Sequence, residues 1–128
     1  MNKELIEKAK SVSTERKLTE LCVTGGVGAA LITEAGNIYL GSCLDCACGI
    51  GFCAEVGAIA NMTMNGESKI KTIVAVGKKD KIYPPCGKCR ELIAQVNFEN
   101  MDTNIILQDK IVRLKDLLPE FWFNSKEK

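Results

Sequence analysis

The stretch GIGFCAEVGAI, residues 49–59, decides how this chain is read. Its glycines mark a loop, and Cys53-Ala54-Glu55 falls where apolar residues with helical spacing begin. A buried structural cysteine needs no carboxylate two residues away, and a surface glutamate needs no thiol. A metal site that also moves protons needs both. The spacing predicts a helix over residues 53–64, with Val56, Ile59, Ala60 and Met64 on one face. A second stretch repeats the pattern: Pro85-Cys86-Gly87-Lys88-Cys89-Arg90 opens GKCRELIAQV, residues 87–96, predicted as a helix with Leu92, Ile93 and Val96 turned inward.

Cysteines at helix N-termini are chemically favoured as thiolates, because the partial positive charge of the helix end stabilises the anion. Cys86 and Cys89, three residues apart in one turn, point the same way. With Cys53 they would fill three corners of a zinc tetrahedron at Zn–S distances of ~2.3 Å, leaving the fourth for water. Three ligands and an open position is the catalytic pattern, whereas four closed ligands is the structural one. Glu55, in the first turn beside Cys53, is placed to take and return a proton there. The chain contains no histidine, so any zinc must be held by thiolates.

The remaining composition is that of one globular unit. The 128 residues are 46% hydrophobic and 26% charged, consistent with a single domain over residues 1–128. A net charge of +1, with no basic run, argues against a nucleic-acid partner and for a small-molecule substrate. The N-terminal MNKELIEKAKSVSTERKL mixes Lys and Glu among its apolar residues, so neither a signal peptide nor a membrane partner is expected. A cytoplasmic protein is expected. Seven cysteines in a reducing compartment then point to metal ligation or thiol chemistry rather than a disulfide framework.

Leu5, Ile6, Ala9 and Val12 recur at helical spacing and predict an amphipathic helix over residues 2–17. VGAALIT (27–33) and GNIYLGS (36–42) read as strands around the turn EAGN, and KTIVAVG (71–77) as a buried strand. TNIILQ (103–108) and KIVRL (110–114) finish the sheet, before a closing turn over LKDLLPEFW in which Phe121 and Trp122 plug the core. The order predicts a three-layer α/β/α sandwich with a mixed central sheet of about five strands, the strands joined by helical crossovers running parallel.

C-A-E followed by P-C-x-x-C, with VGAALIT, GNIY, CAEVGAI, PPCGKCREL and LLPEFW in that order, resembles the short all-cysteine cytidine deaminases, blasticidin S deaminase included, over roughly residues 20–122. The resemblance implies the cytidine deaminase-like fold and hydrolytic deamination of a cytosine-type nucleoside, with a place in pyrimidine salvage. By matching position, Cys53, Cys86 and Cys89 are the implied zinc ligands, Glu55 the proton shuttle, and Arg90 a donor to the ligand thiolates. Asp45, Cys43 and Ala54 fall at implied substrate-binding positions. A homotetramer whose pockets are completed by neighbours, with a C-terminal aromatic lining a neighbour's pocket, is implied as well. Three positions depart from the family: Cys43 stands where Asn is expected, Val56 where Arg is common, and Gly25 where an aromatic is common. These favour a bulkier aminopyrimidine nucleoside such as blasticidin S over cytidine itself.

Two other classes fit parts of the pattern. A loop cysteine such as Cys48 could close the zinc site and leave a structural module, with Glu55 merely complementing the helix end. Cys43, Cys46 and Cys48 could form a second metal site, or Cys43 and Cys46 a redox pair, although small-residue packing in a pocket wall is the simpler reading of all three. GGVG at 25–28 lacks the Lys-Ser/Thr of a phosphate loop, and the Lys/Glu-rich ends read as solvated surface.

Overall fold

The computed structural model describes residues 2–123; the charged end after Phe123 lies outside them. Helix α1 (Asn2–Ser11) leads into β1 (Arg16–Thr19), β2 (Cys22–Thr33) and β3 (Ile38–Cys46). Then come α2 (Ala54–Met64), β4 (Ile70–Val76), α3 (Gly87–Val96), β5 (Asn104–Ile106), β6 (Ile111–Arg113) and the short α4 (Leu114–Leu117). The strands form one six-stranded mixed sheet. β3 runs antiparallel along one side of β2; the other side is shared by β1, at residues 22–24, and β4, at residues 28–33. β4 and β5 pair in parallel through α3, and β6 returns antiparallel. β3, β4 and β5 therefore point the same way, as helical crossovers require.

Strand alternation builds two cores. Ala29 and Leu31 of β2, Ile73 and Ala75 of β4, and Ile105 of β5 face α2 and α3, together with Ala58, Ile59, Met62 and Ile93. Their neighbours Ala30, Ile32, Val74, Val76 and Ile106 face Leu5 and Ala9 of α1. Helices on both faces make the three layers. Two glycines let the helices close in. A Cβ at Gly28 would lie 2.3 Å from the Ala9 carbonyl oxygen, and one at Gly41 would lie 2.2 Å from the Ala58 nitrogen.

Several sequence expectations are corrected. α1 stops at Ser11 rather than residue 17, where the Ser11 and Ser13 hydroxyls donate to the carbonyls of Lys8 and Lys10. Residues 16–19 instead form β1, the sixth strand, exposed at every position. On α2 the buried face is Ala54, Ala58, Ile59 and Met62, while Met64 is 79% exposed. That helix is apolar nearly all round, so periodicity could not choose its face. Phe121 packs on the α2/α3 core, but Trp122 does not: it is exposed, and its indole N–H donates to Glu91 at 2.7 Å.

Candidate active site

Both helices that face the sheet's larger core begin at a cysteine. Cys53 is the N-cap of α2 and Cys86 the N-cap of α3, each with extended backbone (φ −73°, ψ 157° and φ −70°, ψ 171°). The Cys53 side chain makes no capping bond to its own helix, and both thiols turn toward a common point. Cys89 joins them from the first turn of α3. The Cys53 and Cys86 sulfurs are 3.4 Å apart, those of Cys86 and Cys89 are 3.6 Å apart, and all three lie within 4.8 Å of one another. Regular tetrahedral Zn–S bonds place sulfurs about 3.8 Å apart, so the trio fits one thiophilic ion with little adjustment. Cys48 is exposed and stands outside this group, and no fourth cysteine joins it among the described residues.

The titration of these thiols follows their surroundings. Burial pushes Cys89 far up, and the nearby Glu55 carboxylate adds to the effect. Cys53 is also raised by burial and by its contact with Cys86. Burial acts upward on Cys86 too, but the Cys89 N–H, the neighbouring thiols and the Lys88 N–H outweigh it and lower that thiol. A divalent cation would offset the mutual repulsion of three such groups as thiolates.

Glu55, the second residue of α2, is 6% exposed, and its Oε1 accepts from the Cys89 thiol at 3.7 Å. Burial raises its carboxyl above the ordinary value, against the bonds from its own N–H and from Cys89. A carboxyl in this setting both holds and releases protons nearer neutrality. Cys53, Glu55 and Cys86 line an open cavity of about 670 Å³. Cys43, Asp45 and the fully buried Ala54 line it too. The Cys43 sulfur is engaged locally: it accepts from the Val27 N–H at 3.2 Å and donates to Asp45 Oδ2 at 3.7 Å.

Arg90 acts differently from the expectation. Its guanidinium donates to the carbonyls of Pro85, at 2.8 Å, and Leu117, at 3.0 Å, rather than to the thiolates. It ties the Pro84-Pro85-Cys86 corner to the end of α4, because its long side chain runs back past the N-terminus of α3. Cys43 and Cys46 are not a redox pair, since residues three apart on β3 point to opposite faces. Sequence reasoning also missed Phe52 and Tyr83, which line the cavity walls. Both directly precede a ligand motif, the one available signal. A Cβ at Gly77 would lie 2.3 Å from the Tyr83 ring, so that glycine seats it.

Fold and site together bring three thiols that could hold one metal ion to two helix N-termini, with a buried carboxyl beside them at a cavity. The sequence profile described as the cytidine and deoxycytidylate deaminase zinc-binding region matches residues 1–103, and the chain belongs to that family. It is 36% identical over 77 residues to a blasticidin-S deaminase of Bacillus cereus, covering 53% of this chain and 55% of that one. It is 32% identical over 71 residues to a cytidine deaminase of Halalkalibacterium halodurans, covering 55% and 54%. The matches thus span about half the length of these curated relatives. A mutant cytidine deaminase from Mycobacterium tuberculosis superposes with a TM-score of 0.82 at 22% identity, over 98% of this chain and 97% of that one. A cytidine deaminase from Burkholderia pseudomallei gives 0.75 at 26%, over 94% and 98%. No helix among the described residues is long and apolar enough to cross a membrane.

Proposed function

We propose that the protein is a zinc-dependent aminohydrolase converting a cytosine-type nucleoside and water into the uracil analogue and ammonia. The observation that carries this reading is Glu55, buried at the cavity with its carboxyl 3.7 Å from the sulfur of Cys89. Cys53, Cys86 and Cys89 would hold zinc, which when bound acidifies a water for addition to C4 of the ring. Glu55 does the proton work. Its carboxylate takes a proton from the attacking water and delivers it to ring N3, which draws electrons from C4. The carboxylate then takes the second proton, from the hydroxyl now on C4, and passes it to the exocyclic amino nitrogen, so that ammonia, rather than an amide anion, departs and C4 becomes a carbonyl. The cavity walls at Phe52 and Tyr83 offer apolar faces to a planar ring. Ala54, whose backbone lies between ligand and shuttle, and Asp45 are the remaining substrate positions, the latter accepting from a sugar hydroxyl.

A second substrate reading, blasticidin S or another modified aminopyrimidine nucleoside, is favoured by Cys43. Its sulfur is occupied by Val27 and Asp45 and cannot replace an amide that would grip a ribose. A homotetramer belongs to the same proposal, supported by the family and by exposed Leu18, Leu21, Ile111 and Trp122. Gel filtration giving monomer alone would count against it. A cytoplasmic place in pyrimidine salvage completes the reading.

The test is ammonia release from cytidine, deoxycytidine and blasticidin S by zinc-loaded protein, beside Glu55→Gln. We expect release with at least one substrate and its loss in the variant, at unchanged zinc content. Near-wild-type turnover by Glu55→Gln would overturn the scheme.

A further inference from the structure

A further close pair of thiols lies outside the three-thiol group. The Cys22 and Cys46 sulfurs lie 3.1 Å apart, against 3.4 and 3.6 Å among the cluster thiols. They are register partners across β2 and β3. The neighbouring pair is the bonded one, because the Ala47 N–H donates to the Leu21 carbonyl at 3.1 Å. Cys22 and Cys46 therefore occupy the non-hydrogen-bonded site, where Cα atoms approach to about 4.5 Å, within the span a disulfide bridges. Both thiols are half-buried and free.

Their position gives the pair a consequence. Cys46 lines the cavity and is the last residue of β3, where the rim segment leading to Cys53 begins. That segment is closed at its base by Leu44 and Phe52, which exchange two backbone hydrogen bonds of 2.9 Å. Cys22 begins β2, immediately after the turn from β1. A bond between them would staple the β1–β2 turn to the base of the cavity rim.

We propose that Cys22 and Cys46 form a reversible dithiol/disulfide site that exchanges with low-molecular-weight disulfides. In the first step the Cys46 thiolate, on the cavity side, attacks one sulfur of a disulfide such as glutathione disulfide. A protein–glutathione S–S bond forms, the glutathione S–S bond breaks, and one glutathione leaves as thiolate and takes up a proton. The Cys22 thiolate then attacks the Cys46 sulfur, forming the protein disulfide and expelling the second glutathione. The protein dithiol loses two protons and two electrons, and glutathione disulfide takes up both to become two glutathiones. This site is independent of the deaminase reading and stands or falls without it.

The experiment equilibrates zinc-loaded protein in glutathione buffers of rising disulfide-to-thiol ratio, blocks remaining thiols by alkylation, and maps peptides by mass spectrometry with zinc content measured in parallel. We expect a Cys22–Cys46 linked peptide that accumulates as the ratio rises, vanishes on reduction, and appears while zinc is retained. It should persist in Cys48→Ser and be absent in Cys22→Ser. A wild-type map without that linkage, or one in which Cys46 joins Cys48 or a cluster cysteine instead, would overturn the proposal. The wild-type map alone decides this, whatever the variants' folding.

Discussion

Gly41 and Gly57 face each other across the contact between β3 and α2, and adding one methyl group to each should have opposite effects. At Gly41 a Cβ would meet the Ala58 nitrogen at 2.2 Å, the Ala54 oxygen at 2.5 Å and the Gly57 carbonyl carbon at 2.7 Å. All three are helix backbone, so no side chain can swing away. α2 would have to retreat by roughly 1 Å to restore ordinary contact, and overpacking of this kind costs about 1–3 kcal/mol. Alanine recovers about 0.5–1 kcal/mol of that by restricting the unfolded chain, leaving a net loss of about 1–2 kcal/mol. For a domain of this size the melting midpoint should fall by about 4–8 °C. At Gly57 a Cβ meets nothing nearer than the Gly41 Cα at 3.4 Å, with the Phe52 ring and the Ser42 nitrogen at 3.6 Å. Helix propensity then dominates, and Gly57→Ala should stabilise by up to about 1 kcal/mol. Urea unfolding of both variants measures the pair. Because α2 carries Glu55 and begins at Cys53, Gly41→Ala should also weaken zinc retention. A Gly41→Ala protein as stable as wild type, or a Gly57→Ala protein that is clearly less stable, would refute the packing argument.

Asn100 is fully buried: its side chain accepts from Ile70 N–H at 2.8 Å and donates to the carbonyls of Ser68, at 2.9 Å, and Ile93, at 3.0 Å. Asn100→Ala should cost about 3 kcal/mol in urea unfolding, since buried partners are left unpaired; a change indistinguishable from zero would contradict this. Glu67 is held below its ordinary 4.5 by the Thr33 hydroxyl, Tyr39 and Asn37, so its contribution is present above pH 4.5 and lost as pH falls through the depressed folded value. The melting curves of wild type and Glu67→Gln should therefore converge below that pH and separate above it, whereas parallel curves across the range would exclude the effect. Chelation of bound zinc should lower the melting midpoint and re-addition restore it, with stabilisation of about 4 kcal/mol at a thousandfold excess over Kd. A midpoint indifferent to zinc would argue that the thiol trio is not a metal site.

The elements that bury a regular apolar pattern were legible from sequence. α3 begins and ends where GKCRELIAQV does, and β4 nearly coincides with its continuous apolar run. β1 was not, because RKLT is exposed throughout and carries no alternation to read. The β2–β3 register was hidden by a bulge between Thr24 and Gly28, where Gly25 takes φ +84° and a Cβ would run into the Thr14 carbonyl. That bulge brings Cys22 opposite Cys46, a pairing no sequence spacing announces. It also explains why an aromatic cannot simply stand at Gly25 in this backbone. In the site, ligand spacing and helix starts pointed to Cys53, Cys86, Cys89 and Glu55, which the fold gathers. The walls were less visible, since Phe52 and Tyr83 come from loops whose paths tertiary contacts set. The partners of Arg90 depended on where α4 ends, which its own motif does not encode.

The central claim is that three thiolates and an open position, rather than four thiolates, make up the metal site beside Glu55. Zinc K-edge absorption on the purified, zinc-loaded protein tests it directly. Three sulfur ligands at ~2.3 Å and one lighter oxygen or nitrogen neighbour are expected. Four sulfurs would mean a closed structural site and would contradict it.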